Sequence, residues 1–175
     1  MARLVLLDAD VVIWLSENGI WDQLIDRARV ALARTVVQEV DHYYDPATQA
    51  QKRISLKPYV TSKRIEIVDA DKDTTRKVLE KCGKYVSLHK GELESVAYVA
   101  KPGSDALLCT GDGGAIRAMV LLDLNEQAVS LEEMLRRSGL ARSFAGHDVY
   151  QFSEKKFRYW IKLGGTIKIQ HFRPE

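Results

Sequence analysis

Three carboxylate-bearing motifs stand where ordered segments of the chain begin or end. Arg3-Leu4-Val5-Leu6-Leu7 runs into Asp8-Ala9-Asp10, and Asp105-Ala106-Leu107-Leu108-Cys109 runs into Thr110-Gly111-Asp112. Between them, Lys90-Gly91-Glu92-Leu93-Glu94 opens a helical pattern. In open parallel α/β sheets the C-terminal strand ends share one edge, and ligands bind in the crevice beyond it. Acids far apart in sequence can meet there, and clustered carboxylate oxygens are the ligand set of a hard divalent cation. Each acid also has a structural reading. Asp8 and Asp112 suit helix caps, and Asp10, Glu92 and Glu94 fall in first turns, where negative charge complements the helix dipole. Glu39 stands at the border of an apolar face formed by Val36, Val37, Val40, Tyr43 and Tyr44 on a helical wheel. A carboxylate half-buried there needs a cation or a donor; the alternative is an ordinary flanking Glu.

The elements that must position these acids alternate between strand and helix. After the first strand, residues 11–17 and 20–33 read as helices. Thr35 can N-cap a third over 36–44, with Pro46 near its end. Residues 47–62 are polar and ambiguous. Residues 64–68 alternate like a strand, and 71–81 read as a helix stopped by Gly83. A helix over 91–100 ends at Pro102. A strand over 105–109 leads into a helix over 113–121, followed by a short strand at 127–129 and a short helix at 131–137. Such alternation argues for a mostly parallel sheet with helices on both faces.

At 175 residues, with 46% apolar and 29% charged side chains, the chain has the composition of one ordinary globular domain. No apolar run approaches the length of a membrane span and no signal peptide opens the chain, so the expected compartment is the cytoplasm, with no membrane partner. Cys82 and Cys109 lack metal-ligand or redox spacing and read as buried free thiols. The net charge of +2 is unevenly spread. Residues 151–175 hold six basic residues (Lys155, Lys156, Arg158, Lys162, Lys168 and Arg173) against Glu154 and Glu175, a surplus of four, which leaves the first 150 at −2. Aromatics interleave with that charge: Phe152, Phe157, Tyr159, Trp160 and Phe172. Such a segment can grip nucleic acid, or it can be a helix that docks its apolar face and solvates its lysines. Ser153 can N-cap this helix with Phe152 and Phe157 as a hydrophobic staple. Gly164-Gly165 is expected to stop it, with 166–172 a strand or extended arm.

Taken in order, Leu7-Asp8-Ala9-Asp10-Val11-Val12, Val36-Val37-Gln38-Glu39-Val40, Gly91-Glu92-Leu93-Glu94-Ser95-Val96-Ala97 and Thr110-Gly111-Asp112 resemble the pattern of PIN-domain nucleases. Residues 128–135 look like that family's last strand and helix. The resemblance covers roughly residues 3–138 and implies a PIN-like three-layer sandwich over 1–140. Residues 141–175 are then a basic, aromatic extension packed on the same domain. It also implies a Mg²⁺- or Mn²⁺-dependent ribonuclease, with DNA cleavage as an open alternative. Carried over by position, Asp8, Glu39, Glu94 and Asp112 are the four catalytic, metal-binding acids. Glu94 is preferred to Glu92 on the pattern that follows it, and Asp10 and Glu92 are further candidate ligands. Thr110, Lys90 and Arg117 are candidates for substrate contact. An antitoxin-like or other protein partner and a homodimer are open alternatives.

Two other functions compete. Asp8-Ala9-Asp10-Val11-Val12 also meets the nucleophile motif of haloacid dehalogenase-like phosphatases, a reading that leaves Glu39 and the Gly-Glu-x-Glu helix without a role. A non-catalytic RNA-binding or assembly module of the same fold is the third reading. Asp69-Ala70-Asp71-Lys72-Asp73 with Glu80 imitates a calcium loop, but Thr74 stands where the sharp turn needs Gly, and Asp71 reads better as a helix cap. His42, His89, His147 and His171 show no metal-ligand spacing.

Overall fold

The computed structural model describes residues 3–172, apart from the side chains of residues 147 and 148. Arg173 and Glu175, counted above in the tail's charge, and the side chain of His147 therefore lie outside the described residues. The chain runs through β1 (Val5–Leu7), α1 (Ala9–Glu17), α2 (Trp21–Ile25), β2 (Val30–Ala33), α3 (Arg34–Glu39) and the strands β3 (His42–Tyr44) and β4 (Gln51–Arg53). It continues with α4 (Lys57–Thr61), β5 (Ile65–Val68), α5 (Lys72–Cys82), α6 (Lys90–Ala100) and β6 (Leu107–Cys109). The last elements are α7 (Gly113–Leu121), β7 (Ala128–Val129), α8 (Leu131–Arg137) and α9 (Glu154–His171).

Five of the strands form one parallel sheet in the order β5-β2-β1-β6-β7. Successive side chains of a strand face opposite sides, and the two cores follow that period. Val5, Leu7, Val30, Leu32, Leu107 and Cys109 pack with residues of α1, α2 and α8. Leu4, Leu6, Ala31 and Leu108 pack with residues of α5, α6 and α7 on the other face. The fold is thus α/β, a parallel sheet covered on both sides. Leu6, Leu7, Leu32 and Leu108 are almost wholly removed from water, each worth roughly 1.5–3 kcal/mol of transfer free energy. From β1 the chain passes to β2 on one side and later reaches β6 on the other, so the gap between β1 and β6 is where the strand order reverses. Leu7 lies opposite Cys109, which brings the residues just beyond these strands, Asp8 and Thr110, side by side.

Several expectations need correction. The helix expected over 20–33 is α2 followed by β2. The continuous run Val30-Ala31-Leu32-Ala33 is buried on both faces, and a short apolar run of that kind has no alternation to mark it as a strand. The helix expected over 36–44 ends at Glu39, and its start is not capped by the Thr35 side chain. Tyr43 and Tyr44, good strand formers, instead pair with Lys52 and Gln51 in an antiparallel hairpin, whose turn is closed by Asp45 accepting from the Ala47 and Thr48 N–H groups. The wheel that set Glu39 beside Tyr43 therefore does not apply, and Glu39 is exposed.

The largest correction concerns the tail. Ser153 caps α9 as expected, accepting from the Lys156 N–H at 3.1 Å. The helix then continues through Gly164-Gly165 to His171, leaving no strand at 166–172. Gly164 faces α7, and a Cβ there would stand 2.9 Å from Val120 Cβ. The glycine is a point of close helix contact and not a stop. Cys82 and Cys109 are buried free thiols, and burial pushes the Cys82 thiol up to about 11.

Candidate functional site

Asp8 follows β1 directly and adopts the extended backbone of an N-cap residue. It is 8% exposed. One carboxylate oxygen, Oδ1, accepts from the Ala9 N–H at 2.7 Å, and Oδ2 accepts from the Thr110 hydroxyl at 2.8 Å. Thr110 follows β6 and is 1% exposed; its Oγ1 also accepts the Asp112 N–H at 3.0 Å. The Asp8 N–H donates to the Cys109 carbonyl at 3.2 Å. One threonine side chain therefore joins the two strand ends. Asp112 in turn N-caps α7, with Oδ1 accepting from the Ala115 N–H at 2.7 Å. Thr110, a candidate for substrate contact from sequence, is buried and holds Asp8 and the backbone before α7.

Glu92 enters from α6. Its carboxylate reaches back to the residue before the helix and accepts the His89 N–H at 2.8 Å. Glu39 reaches the same turn from the end of α3. A Cβ on Gly91 would stand 2.7 Å from Glu39 Oε2 and 3.1 Å from Val36 Cγ2, so the missing side chain at Gly91 is what lets this carboxylate lie against the start of α6.

The electrostatics link the four groups. Burial pushes the Asp8 carboxyl up to about 7, against the opposing hydrogen bonds from Thr110 and Ala9, and the charges of Asp10 and Glu92 raise it further. Burial is also the main cause that raises Glu92, partly offset by the His89 N–H, and Asp112 and Glu39 add to the rise. Like charges that face each other in this way disfavour ionisation of their neighbours. Asp8, Glu39, Glu92 and Asp112 thus belong to one acidic edge, with the exposed Asp10 beside Asp8.

Glu94 belongs elsewhere. Its Oε2 accepts from the Thr35 N–H at 2.8 Å and from the Thr35 hydroxyl at 2.6 Å. It therefore satisfies the first turn of α3, for which Ala33 offers no side-chain cap. Glu94 sits at the opposite end of α3 from Glu39. The sequence preferred Glu94 to Glu92 as the third acid; the structure places Glu92 beside Asp112 and Glu39, and Glu94 on Thr35. Asp10 is exposed in the first turn of α1, and Lys90 is exposed at the start of α6. Arg117 donates from Nε to the Gly113 carbonyl at 2.7 Å and lays its guanidinium over the Trp160 ring at 5.1 Å.

Sequence reasoning missed the two residues of the C-terminal segment that flank Asp112. Cβ atoms on Gly111 and Gly113 would stand 2.8 Å from Phe152 and 2.5 Å from Trp160. The signal lay in two glycines bracketing an acid; the tail aromatics read as a staple, a docking face or a nucleic-acid grip, and not as neighbours of Asp112. A cleft of about 440 Å³ opens between α8 and α9, lined by Glu133, Arg136, Glu154 and Arg158 among others, and contains none of the four acids. Among the described residues no group of three or more His, Cys, Asp or Glu side chains is gathered to hold a metal ion. Comparison of the chain with protein-family models and with curated proteins finds no match in either.

Proposed function

We propose that this chain is a PIN-type ribonuclease that depends on Mg²⁺ or Mn²⁺. The observation that carries the reading is the linkage of Asp8 and Asp112, from adjacent strands at the reversal of strand order, through Thr110. Such a reversal is where open α/β sheets bind ligands. The donor set fits a hard divalent cation in chemistry: four carboxylates and no soft ligand. It fits in charge as well, because the mutual repulsion felt at Asp8 and Glu92 is what a cation would relieve. The fit does not extend to an assembled coordination shell.

Asp8, Glu92 and Asp112 would hold the ion, with Glu39 at the border. When bound, such an ion activates water and neutralises charge on the phosphoryl oxygens. The chain's own contribution is orientation. Thr110 and the Ala9 N–H fix both oxygens of Asp8, the Ala115 N–H fixes one oxygen of Asp112, and the His89 N–H fixes one oxygen of Glu92. Each acid therefore keeps lone pairs for a cation while its direction is set by backbone donors and, for Asp8, by the Thr110 hydroxyl.

A second reading, a non-catalytic RNA-binding module, is favoured by one observation: Asp8, Glu92 and Asp112 each cap a helix and would be needed without any chemistry. Cleavage of structured and unstructured RNA with Mn²⁺, by wild type beside Asp8→Asn, separates the two. The expected result is cleavage by wild type and none by the variant. Equal activity in both proteins sinks the assignment, and robust cleavage in excess chelator sinks the dependence on metal.

A further inference from the structure

The C-terminal helix does more than cover α7. Phe152 is 3% exposed and packs on Gly111, while Trp160 packs on Gly113, so the segment grips the backbone on both sides of Asp112. Its outer side carries an aromatic cluster around one cation. Lys156 Nζ lies 4.5 Å from the Tyr159 ring centroid, 4.6 Å from Trp160 and 5.8 Å from Tyr150. Tyr159 meets Trp160 edge-on at 4.9 Å. Tyr159 and Tyr150 are 52% and 38% exposed. The Tyr150 and Tyr159 rings lie partly in water, with the Lys156 ammonium within cation–π range of both. Lys155 and Lys162 are exposed on the same helix.

We infer that Tyr150, Tyr159, Trp160 and Lys156 form a platform that holds single-stranded nucleic acid next to the acidic edge, with bases stacked on the tyrosines and phosphates drawn by the lysines. The inference rests on the nucleic-acid substrate of the proposed function, RNA in that reading. Three features select this occupant. Exposed aromatic faces offer stacking to unpaired bases of any sequence. The lysines supply the positive charge that the acidic edge lacks, which a polyanion needs in order to approach it. Trp160 also connects the platform physically to Gly113, the residue after Asp112, so a strand stacked on it passes directly beside the acids. A paired duplex hides its base faces and cannot use the tyrosines.

Binding is measured by fluorescence anisotropy on the full chain in excess chelator, where cleavage plays no part. The probes are a fluorescein-labelled mixed-sequence single-stranded RNA, the DNA of the same sequence, and the RNA duplex. Wild type is expected to bind the single strands more tightly than the duplex. Tyr159→Ala should weaken single-strand binding about five- to a hundredfold, and Lys156→Gln should lower the slope of log affinity against log salt by about one. Equal RNA and DNA affinities support the platform as well as an RNA preference does. Tyr159 is half exposed, and thermal melting checks that the variants remain folded. Wild-type affinity in both variants, or tighter binding of the duplex, overturns the inference. The nuclease reading is judged separately: tyrosine-dependent binding without cleavage leaves the platform standing and removes the enzyme, whereas metal-dependent cleavage unaffected by Tyr159→Ala does the reverse.

Discussion

Asp8 is almost wholly buried, and that burial holds its carboxyl up to about 7. Its ordinary value is 3.8, so between about pH 4 and pH 7 the folded chain keeps a proton that the unfolded chain has released. Stability from this group is therefore fully present below pH 4 and is lost as pH rises towards 7, by at most roughly 4 kcal/mol. In chelator, wild-type Tm should fall between pH 5 and pH 8, and Asp8→Asn should flatten that fall; parallel curves would refute the burial argument. The acids of α6 allow a sharper test. Glu92→Gln keeps an acceptor for the His89 N–H but loses charge, and should cut activity at least roughly tenfold with little change in Tm. Glu94→Gln weakens the two bonds to Thr35 and should cost about 1 kcal/mol of stability with activity retained; the reverse pattern restores Glu94 to the site. This distinction was not legible in the sequence. Residues two apart on a helix point in nearly opposite directions, and which of them meets Asp112 depends on how α6 is rotated. Burial of Ser95, Val96, Ala97 and Val99 against neighbouring elements sets that rotation.

Strong local signals made some elements readable. β1 and β6 are apolar runs cut off by an acid or a threonine, and Ser130, Asp71 and Asp112 cap their helices through their own side chains. β2 and α9 were misread because their decisive partners are remote. Four apolar residues become a strand only when β1 and β5 lie on either side, and a Gly-Gly pair stays helical only when another helix presses on it. The two glycines of α9 test that account against each other. A Cβ on Gly165 meets nothing within 4 Å, so Gly165→Ala should stabilise the protein by about 1 kcal/mol through helix propensity. Gly164→Ala gains the same propensity but drives a methyl into Val120 and the Arg117 backbone, and should destabilise by about 1 kcal/mol or more. Urea denaturation reads both changes. If neither alanine alters stability, the helix does not continue through this pair.

For the molecule as a whole, the small net charge conceals a division of labour. The basic surplus belongs to the tail and the acidic surplus to the rest of the chain, and two aromatics of the tail, Phe152 and Trp160, lean on the neighbours of Asp112. No helix among the described residues is long and apolar enough to cross a membrane. A folded state that brings Asp8, Glu92, Glu39 and Asp112 within electrostatic reach is destabilised by their repulsion, and any cation bound there stabilises the folded chain by mass action. Saturation at a hundred times the dissociation constant corresponds to about 2.7 kcal/mol, or roughly 5–10 °C in Tm for a chain of this size. The rise with Mn²⁺ should be larger at pH 8 than at pH 6, because Asp8 must release its proton to become a ligand. Asp8→Asn should lose most of the rise at both values. Glu94→Gln, which changes charge by the same amount but on α6 beside Thr35, should keep it. Equal Mn²⁺ shifts in wild type and Asp8→Asn would mean that the ion binds elsewhere, and the acidic edge would then be three helix caps and a flanking glutamate.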